Sequence, residues 1–374
     1  MFSKSLIVPT MTNTITDIKL ELLCKGVRLP EHLLGQFPGY IHKRASLSEG
    51  MCFDLWRRGH DRPLSINVAV HEKFVQESPF YYDDEHKLIL KNNHPFINAN
   101  LIAPPTWYNR VLDDGLSFNE IFQVHYKSIL ATCLTNFCEF KTTGRGCKFC
   151  AIGYQTEKNN IRQVRHIVSA LKEIIGKEQN FTEININAGA LINEKKAFDL
   201  YSDVITGIRE VTDLPIYAQI CPPLDLSGID QLVEAGISTL SFNLEIFNEK
   251  LRRQIMPAKG CIPIEQYFKA IEYAIKFLGR GQVSSWLIAG LEPVDSTIEA
   301  AKQIASAGAI PFITVFRPLI GSKFENHPPP DPASIAPAFD ALARILSEMK
   351  LDPAKSLCGC VKCNCCSALT ENIF

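Results

Sequence analysis

Between residues 125 and 350 short apolar runs alternate with stretches of helical period, and that alternation sets the fold class. SILATCLTN, residues 128–136, reads as a buried strand. In the helical stretch that follows, Ile161, Val164, Ile167, Val168, Leu171, Ile174 and Ile175 share one face. FTEININAGAL is the next strand, with a helix over 195–211. LPIYAQIC, the helix IDQLVEAG and TLSFNLEIF continue the pattern. PIEQYFKAIEYAIKFLG aligns Ile264, Tyr267, Phe268, Ile271, Ile275 and Leu278, and Gly279 is its stop signal. QVSSWLIAGLE is followed by Ser296-x-x-Glu299, the pattern of a capping box. IPFITVFRPL is the last strand, and HPPPDP precedes a final helix reaching about 349.

These are six strand–helix units. Reading their strands as apolar on both faces predicts parallel strands covered by helices. Six units fall short of the eight of a closed barrel, so the expectation is an α/β fold built as a partial (βα)6 TIM-like barrel. A doubly wound open sheet is the alternative. Either way, ligands belong at the carboxyl ends of the strands. Residues 1–124 lack sustained helical period. LSINVAV and KLILK read as strands among turn-rich pieces, giving a small N-terminal α+β lobe. The barrel is assigned to 125–326, and 327–374 to a final helix and a Cys-rich tail.

Composition narrows the functional classes. A net charge of −1 gives no support for a nucleic-acid or polyanion partner. No apolar run approaches the roughly 20 residues of a membrane-spanning helix. The opening MFSKSLIVPTMTNT holds too short an apolar patch for a signal peptide, so a cytoplasmic setting is expected. In a reducing compartment, thirteen cysteines point to metal rather than disulfides. Cys24, Cys52, Cys133, Cys221 and Cys261 are scattered and read as small buried hydrophobes.

The remaining thiols form two groups. CEFKTTGRGCKFCAIG places Cys138, Cys147 and Cys150 in the loop after the first strand. A structural zinc takes four ligands, usually as paired CxxC knuckles. Cys133, inside an apolar strand, is a poor fourth. Three thiolates on a [4Fe–4S] cluster leave one iron open to a chelating ligand. Lys141, Arg145 and Lys148 are either a solvated basic loop or moderators of the cluster's charge. The tail, CGCVKCNCCS, carries Cys360-x2-Cys363-x2-Cys366, the spacing of a ferredoxin half-motif, with Cys358 and Cys365 as extras.

The cysteine loop resembles that of the radical S-adenosylmethionine enzymes, whose usual signature is CxxxCxxC after the first barrel strand with an aromatic residue before the third cysteine. Here the first spacing is eight residues, and Phe149 occupies the aromatic position. The loop and the tail are similar to those of a group often encoded near a nitrilase. The resemblance covers residues 125–374 and implies S-adenosylmethionine as chelate of the open iron. It also implies roles for strand-end residues. Asn187 and Gly189 stand where the family often has GGE, which holds the methionine amino group. Asn243 and Glu245 match a position contacting ribose or methionine, with a structural salt bridge as the alternative for Glu245. Gly290 in LIAGLE lies near adenine, while Glu292 caps a turn. Arg317 binds the methionine carboxylate or closes the barrel rim.

The implied reaction is reductive cleavage of S-adenosylmethionine to a 5′-deoxyadenosyl radical, which abstracts hydrogen from a small-molecule substrate. The electron comes from a low-potential donor such as ferredoxin or flavodoxin. The tail implies a second iron–sulfur cluster, against zinc or a disordered thiol-rich tail. Trp56, Arg57, Trp107 and Tyr108 make the lobe a lid or substrate-selecting surface, or else plain core. Sulfur insertion at the expense of the tail cluster is an alternative within the class. A non-catalytic zinc or iron–sulfur carrier is the alternative outside it.

Overall fold

The computed structural model describes residues 14–36, 50–57, 61–154, 158–177 and 180–369. The N-terminal segment 1–13, read above for a signal peptide, lies outside them. Twelve strands form two sheets among the described residues. Six are parallel: β7 (Ile129–Cys133), β8 (Glu183–Asn187), β9 (Ile216–Gln219), β10 (Thr239–Ser241), β11 (Val283–Ala289) and β12 (Ile310–Val315). They lie side by side in chain order, β12-β11-β10-β9-β8-β7. A doubly wound sheet reverses direction at a switch point, and this one does not. Side chains from the two outer parallel strands, Cys133 of β7 and Thr314 of β12, face one cavity, so the sheet is curled. The fold is a partial (βα)6 barrel. The short strand β6 (Gln123–His125) pairs antiparallel to β7 at its edge, an addition the sequence did not announce.

One long helix returns the chain after each parallel strand: Val164–Lys177, Glu194–Arg209, Ser227–Glu234, Ile264–Leu278, Val294–Ser306 and Pro332–Glu348. Each buries one stripe against the sheet. On Val164–Lys177 the stripe is Ile167, Ala170, Leu171 and Ile174, and Ile161 lies outside the helix. Leu171 is fully buried, so truncating it to alanine would cost about 2–5 kcal/mol. The final helix starts where HPPPDP ends, and the Asp331 carboxylate accepts the Ser334 amide as N-cap. The capping box expected at Ser296 and Glu299 does not form. The N-cap is Pro293, without a side-chain cap, and Glu299 instead accepts from Gln303.

The inner face of the barrel departs from the expectation of strands apolar on both sides. Outward positions such as Ile184, Ile186, Ala218 and Leu240 are apolar and fully buried under the helices. Many inward positions are polar: Asn187, Gln219, Asn243 and Thr314 line the cavity beside Trp286 and Ile288, and Glu183 and Thr239 bind the tail. A closed eight-stranded barrel packs its interior with apolar side chains, whereas a partial one leaves an inner face for ligands.

The N-terminal lobe is an antiparallel sheet in the order β2-β1-β5-β4-β3, comprising β1 (Met51–Trp56), β2 (Leu64–Val68), β3 (Phe80–Asp83), β4 (Leu88–Lys91) and β5 (His94–Leu101). The helix Ile15–Lys25 starts on a capping box made by Thr14 and Asp17. It shares one hydrophobic core with the final helix and the barrel. Trp107 belongs to that core, 1% exposed and packed edge-on against Tyr108, Phe118 and Phe181. The Tyr108 hydroxyl accepts the Val124 amide at 2.6 Å.

The tail is packed through Leu369. It runs under the amino ends of the strands, where the Gly359 amide donates to Glu183 at 2.9 Å and Cys358 sulfur meets the Thr239 hydroxyl at 3.0 Å. It then enters the barrel. Gln219 donates to Cys360 sulfur at 3.5 Å, and the Thr314 hydroxyl donates to the Cys366 carbonyl at 3.0 Å.

Candidate active site

A cavity of about 890 Å³ opens at the carboxyl ends of the six parallel strands. Each strand delivers what its end positions carry. The loop after β7 brings Cys138, Cys147, Phe149 and Cys150; β8 brings Asn187 and Gly189; β9 brings Gln219 and Cys221. From β10 come Asn243 and Glu245, from β11 Trp286 and Ile288, and from β12 Thr314 and Arg317. Cys366 of the tail lines the same cavity from the opposite side of the chain. No helix among the described residues is long and apolar enough to cross a membrane.

Backbone contacts hold the cysteine loop. Leu134 donates to the Asn187 carbonyl at 2.7 Å, and Glu139 to that of Ala190 at 2.8 Å. The Thr135 hydroxyl bonds the Phe137 carbonyl and accepts the Gly189 amide, both at 2.8 Å. This close approach explains Gly189, since a Cβ there would lie 2.0 Å from the Phe137 carbonyl oxygen. On the other side Lys148 donates to the Ile255 carbonyl, and Phe324 donates to the Lys148 carbonyl. Phe149 and Cys147 pack against a small apolar cluster of Ile246, Ile255, Met256, Ile288, Leu291 and Phe316. Two of the basic residues are structural ties: Lys141 donates to the Ile152 carbonyl at 2.7 Å, and Arg145 to that of Pro257 at 3.0 Å.

Burial raises the Cys147 thiol well above its usual range, with the Glu245 carboxylate adding to the shift and Lys259 opposing it. Glu245 itself has a positive φ of 67° and holds an ion pair with Lys259 at 2.9 Å, both side chains being largely buried. Burial works against the Lys259 ammonium, but Glu245, Tyr267, Cys221 and Cys147 together outweigh it and the pKa is raised. The Asn243 amide donates to Gln219 at 2.9 Å, and Gln219 donates to Cys360 sulfur, so the cavity wall is hydrogen-bonded to the tail. Arg317 donates to the side chain and the backbone carbonyl of Asn67 at 3.1 and 3.0 Å, joining the barrel rim to the lobe.

Other expected positions fall elsewhere. Gly290 is outside the cavity lining. Its φ of 99° and a Pro330 carbon 2.7 Å from its missing Cβ account for the glycine. Glu292 caps a turn, accepting the Phe247 and Asn248 amides at 2.9 and 2.7 Å. Trp56, Arg57, Trp107 and Tyr108 are not in the lining, and neither are Cys360 and Cys363. Cys133 donates its thiol to the Thr135 carbonyl at 3.0 Å while also facing the cavity. Two scattered thiols differ from the expected buried hydrophobes, since Cys221 lines the cavity and Cys261 is exposed. Sequence reasoning missed Gln219, Trp286 and Lys259. An alternating pattern such as Tyr217-Ala218-Gln219 carried the signal for the first.

A partial barrel whose strand ends present three thiols to a ligand-sized cavity defines a class of barrel enzymes that hold a reactive cofactor at the mouth. Residues 132–304 match the Radical SAM superfamily. It is 24% identical over 245 residues to the bacteriochlorophyllide c C-7(1)-hydroxylase of Chlorobaculum limnaeum, covering 60% of this chain and 59% of the relative. The chain thus spans about three fifths of the length of that curated relative. Among solved structures it is similar to the FeFe-hydrogenase maturase HydG from Carboxydothermus hydrogenoformans, with TM-score 0.47, 19% identity, and coverage of 59% of this chain and 51% of that one. It is also similar to methylornithine synthase (PylB), with TM-score 0.47, 15% identity, and coverage of 64% and 70%.

The superfamily implies a [4Fe–4S] cluster and S-adenosylmethionine. The donor set on the cavity wall is chemically suited to the cluster: three thiols with an aromatic neighbour, the nearby Glu245 carboxylate being ion-paired with Lys259. Among the described residues, no three Cys, His, Asp or Glu side chains converge on the position of a single ion. A cluster, several atoms across, draws on thiolates farther apart than one ion does.

Proposed function

We propose that this chain cleaves S-adenosylmethionine reductively at a cluster held by Cys138, Cys147 and Cys150, and abstracts hydrogen from a small molecule in the barrel cavity. The observation that carries this reading is the sharing of one cavity by the three loop cysteines, Asn187, Gly189, Asn243, Glu245 and Arg317. When bound, the cluster and S-adenosylmethionine supply the 5′-deoxyadenosyl radical. The chain's own residues hold and shield the reactants. Phe149 and its apolar cluster keep water from the thiols on one side. The backbone of Asn187 and Gly189 borders the loop closely enough to meet the methionine amino group. Asn243 and Glu245 offer acceptors for ribose or amine, with Lys259 ion-paired to Glu245. Arg317, fixed by Asn67, presents its cationic plane to a carboxylate. On β11 the adenine-facing surface falls to Ile288, while Gly290 packs behind it. A low-potential ferredoxin or flavodoxin supplies the electron, in the cytoplasm.

Cys360, Cys363 and Cys366 are assigned to a second iron–sulfur cluster, with Cys366 on the cavity wall, and the lobe, tied to the barrel rim through Asn67 and Arg317, is assigned to substrate selection. The similarity to a hydroxylase supports a reaction at carbon. A second reading, sulfur insertion, is favoured by Cys366 lining the cavity that would hold substrate. Stoichiometric loss of sulfide per product separates it from simple hydrogen abstraction.

Anaerobic reconstitution, dithionite reduction and addition of S-adenosylmethionine test the main reading. Wild type is expected to form 5′-deoxyadenosine, and Cys147→Ala to form none while still binding iron at the tail. Zinc in the thiols and no cleavage by wild type would mark a carrier instead.

A further inference from the structure

Glu245 sits at the centre of a turn that side chains rarely adopt. The Ile246 amide donates across it to the Leu244 carbonyl at 2.8 Å, and the Glu245 φ is 67°. A hydrogen bond spanning two residues around a positive φ is the rare, strained form of the γ-turn. Both backbone groups of Glu245 are also tied to β11: its amide donates to the Trp286 carbonyl at 2.7 Å, and its carbonyl accepts the Ile288 amide at 2.9 Å. Strain of this kind persists only where the surroundings over-determine it, and it clusters at functional sites.

Arg252, on the short helix Glu249–Ile255, supplies those surroundings. It is 1% exposed, and its guanidinium carbon lies 4.8 Å from the centre of the Tyr267 ring. Its Nη1 donates to the carbonyls of Leu244 at 2.8 Å and Ile246 at 3.3 Å, the two residues flanking Glu245. Carbonyls two residues apart on an extended strand stand about 6.5 Å from each other, too far for one nitrogen to bond both at those lengths. The guanidinium therefore fits the turn and not a strand. Its Nη2 donates to the carbonyls of Lys259 at 3.4 Å and Ile262 at 3.1 Å. Gly260 lets that loop approach, since a Cβ there would lie 2.5 Å from the Arg252 carbonyl oxygen. A buried cation needs hydrogen-bond partners, and any carbonyls would serve that need. All four found here belong to the two segments that bear Glu245 and Lys259, whose side chains pair at 2.9 Å on the cavity lining.

We propose that Arg252 is a positioning residue for the reaction: one guanidinium clamps the Glu245 turn and the Lys259 loop, and so aims the Glu245 carboxylate into the cavity at S-adenosylmethionine. The inference rests on the reading of Glu245 as a contact of S-adenosylmethionine. Arg252 is absent from the cavity lining and acts through the pair. The planar fork is what the task requires, because a lysine ammonium is a point charge on a flexible stem and does not hold two segments in one plane.

The test is a double-mutant cycle on the reconstituted full chain, reading the dissociation constant of S-adenosylmethionine by anaerobic equilibrium dialysis. Arg252→Lys and Glu245→Gln are each expected to weaken binding by about ten- to a hundredfold. Combined, they should weaken it little further than the worse of the two, because Arg252 acts through Glu245. A general loosening of the fold would instead add the two losses. Circular dichroism checks that each variant folds. If Arg252→Lys does not fold, Gly260→Ala, which pushes the Lys259 loop off the helix end, takes its place in the cycle with the same expectation. Additive losses, or wild-type affinity in either folded single variant, would overturn the inference while the proposed reaction stands. A wild type that neither binds nor cleaves S-adenosylmethionine would overturn the proposed function and the inference together.

Discussion

The cysteine loop on the cavity wall and the Cys-rich tail, of which Cys366 reaches that wall, are held in opposite ways. The loop carrying Cys138, Cys147 and Cys150 is stitched to its neighbours through backbone groups: those of Asn187 and Ala190 on one side, and of Ile255 and Phe324 on the other. The tail is held largely by side chains that reach down from other elements, namely Glu183, Gln219, Thr239, Thr314 and Lys19. A backbone-stitched loop tolerates a longer spacing between its first two cysteines, because main-chain groups are present whatever the side chains. A tail docked by side chains depends on particular residues far away in sequence.

The largest effect is expected at the stitched end. Gly189→Ala drives a methyl group into the Phe137 carbonyl and should abolish 5′-deoxyadenosine formation while leaving iron at the tail. Normal turnover in that variant would show that the loop is held some other way. Lys259→Met, which leaves the Glu245 carboxylate buried without its cation, should cost about 2–4 kcal/mol in urea unfolding, part of the roughly 3–5 kcal/mol of a fully buried pair. An unchanged midpoint would mean that the pair contributes nothing.

At the docked end, Glu183→Gln sharpens the contrast through pH. Burial raises the Glu183 carboxyl from 4.5 to about 7, and the Gly359 amide opposes that shift. The folded state therefore holds this proton more tightly than the unfolded state. The stability it contributes is full below 4.5 and is lost as pH rises through 7, on the order of 3 kcal/mol. The apo-protein should melt lower at pH 8 than at pH 5, and Glu183→Gln should reduce that difference. Asn67→Ala is expected to have the smallest effect, about 1–3 kcal/mol from lost hydrogen bonds. It should loosen the lobe and tail to limited proteolysis while the cysteine loop stays protected.

The same contrast explains what was legible in the sequence. The barrel helices and strands could be read because burial imposes a period on local sequence, as in Ile167, Leu171 and Ile174. The loop was legible because its three thiols are close in the chain. Glu183-Ile184-Asn185-Ile186-Asn187 alternates plainly, yet reading the strands as apolar throughout hid the polar inner face that forms the cavity. Ser296 and Glu299 had the spacing of a capping box, but Pro293 already fixed the helix start. The bond from Gly359 to Glu183, 176 residues apart, and the bond from Asn67 of the lobe to Cys365 of the tail join distant segments, and no local pattern records them.

The most direct test of two thiol sets flanking one cavity is electron paramagnetic resonance of the reduced, reconstituted wild type with and without S-adenosylmethionine. Two cluster signals, of which only the one lost in Cys147→Ala shifts on adding S-adenosylmethionine, are the result this account predicts. A single signal, or two that both ignore S-adenosylmethionine, would contradict it.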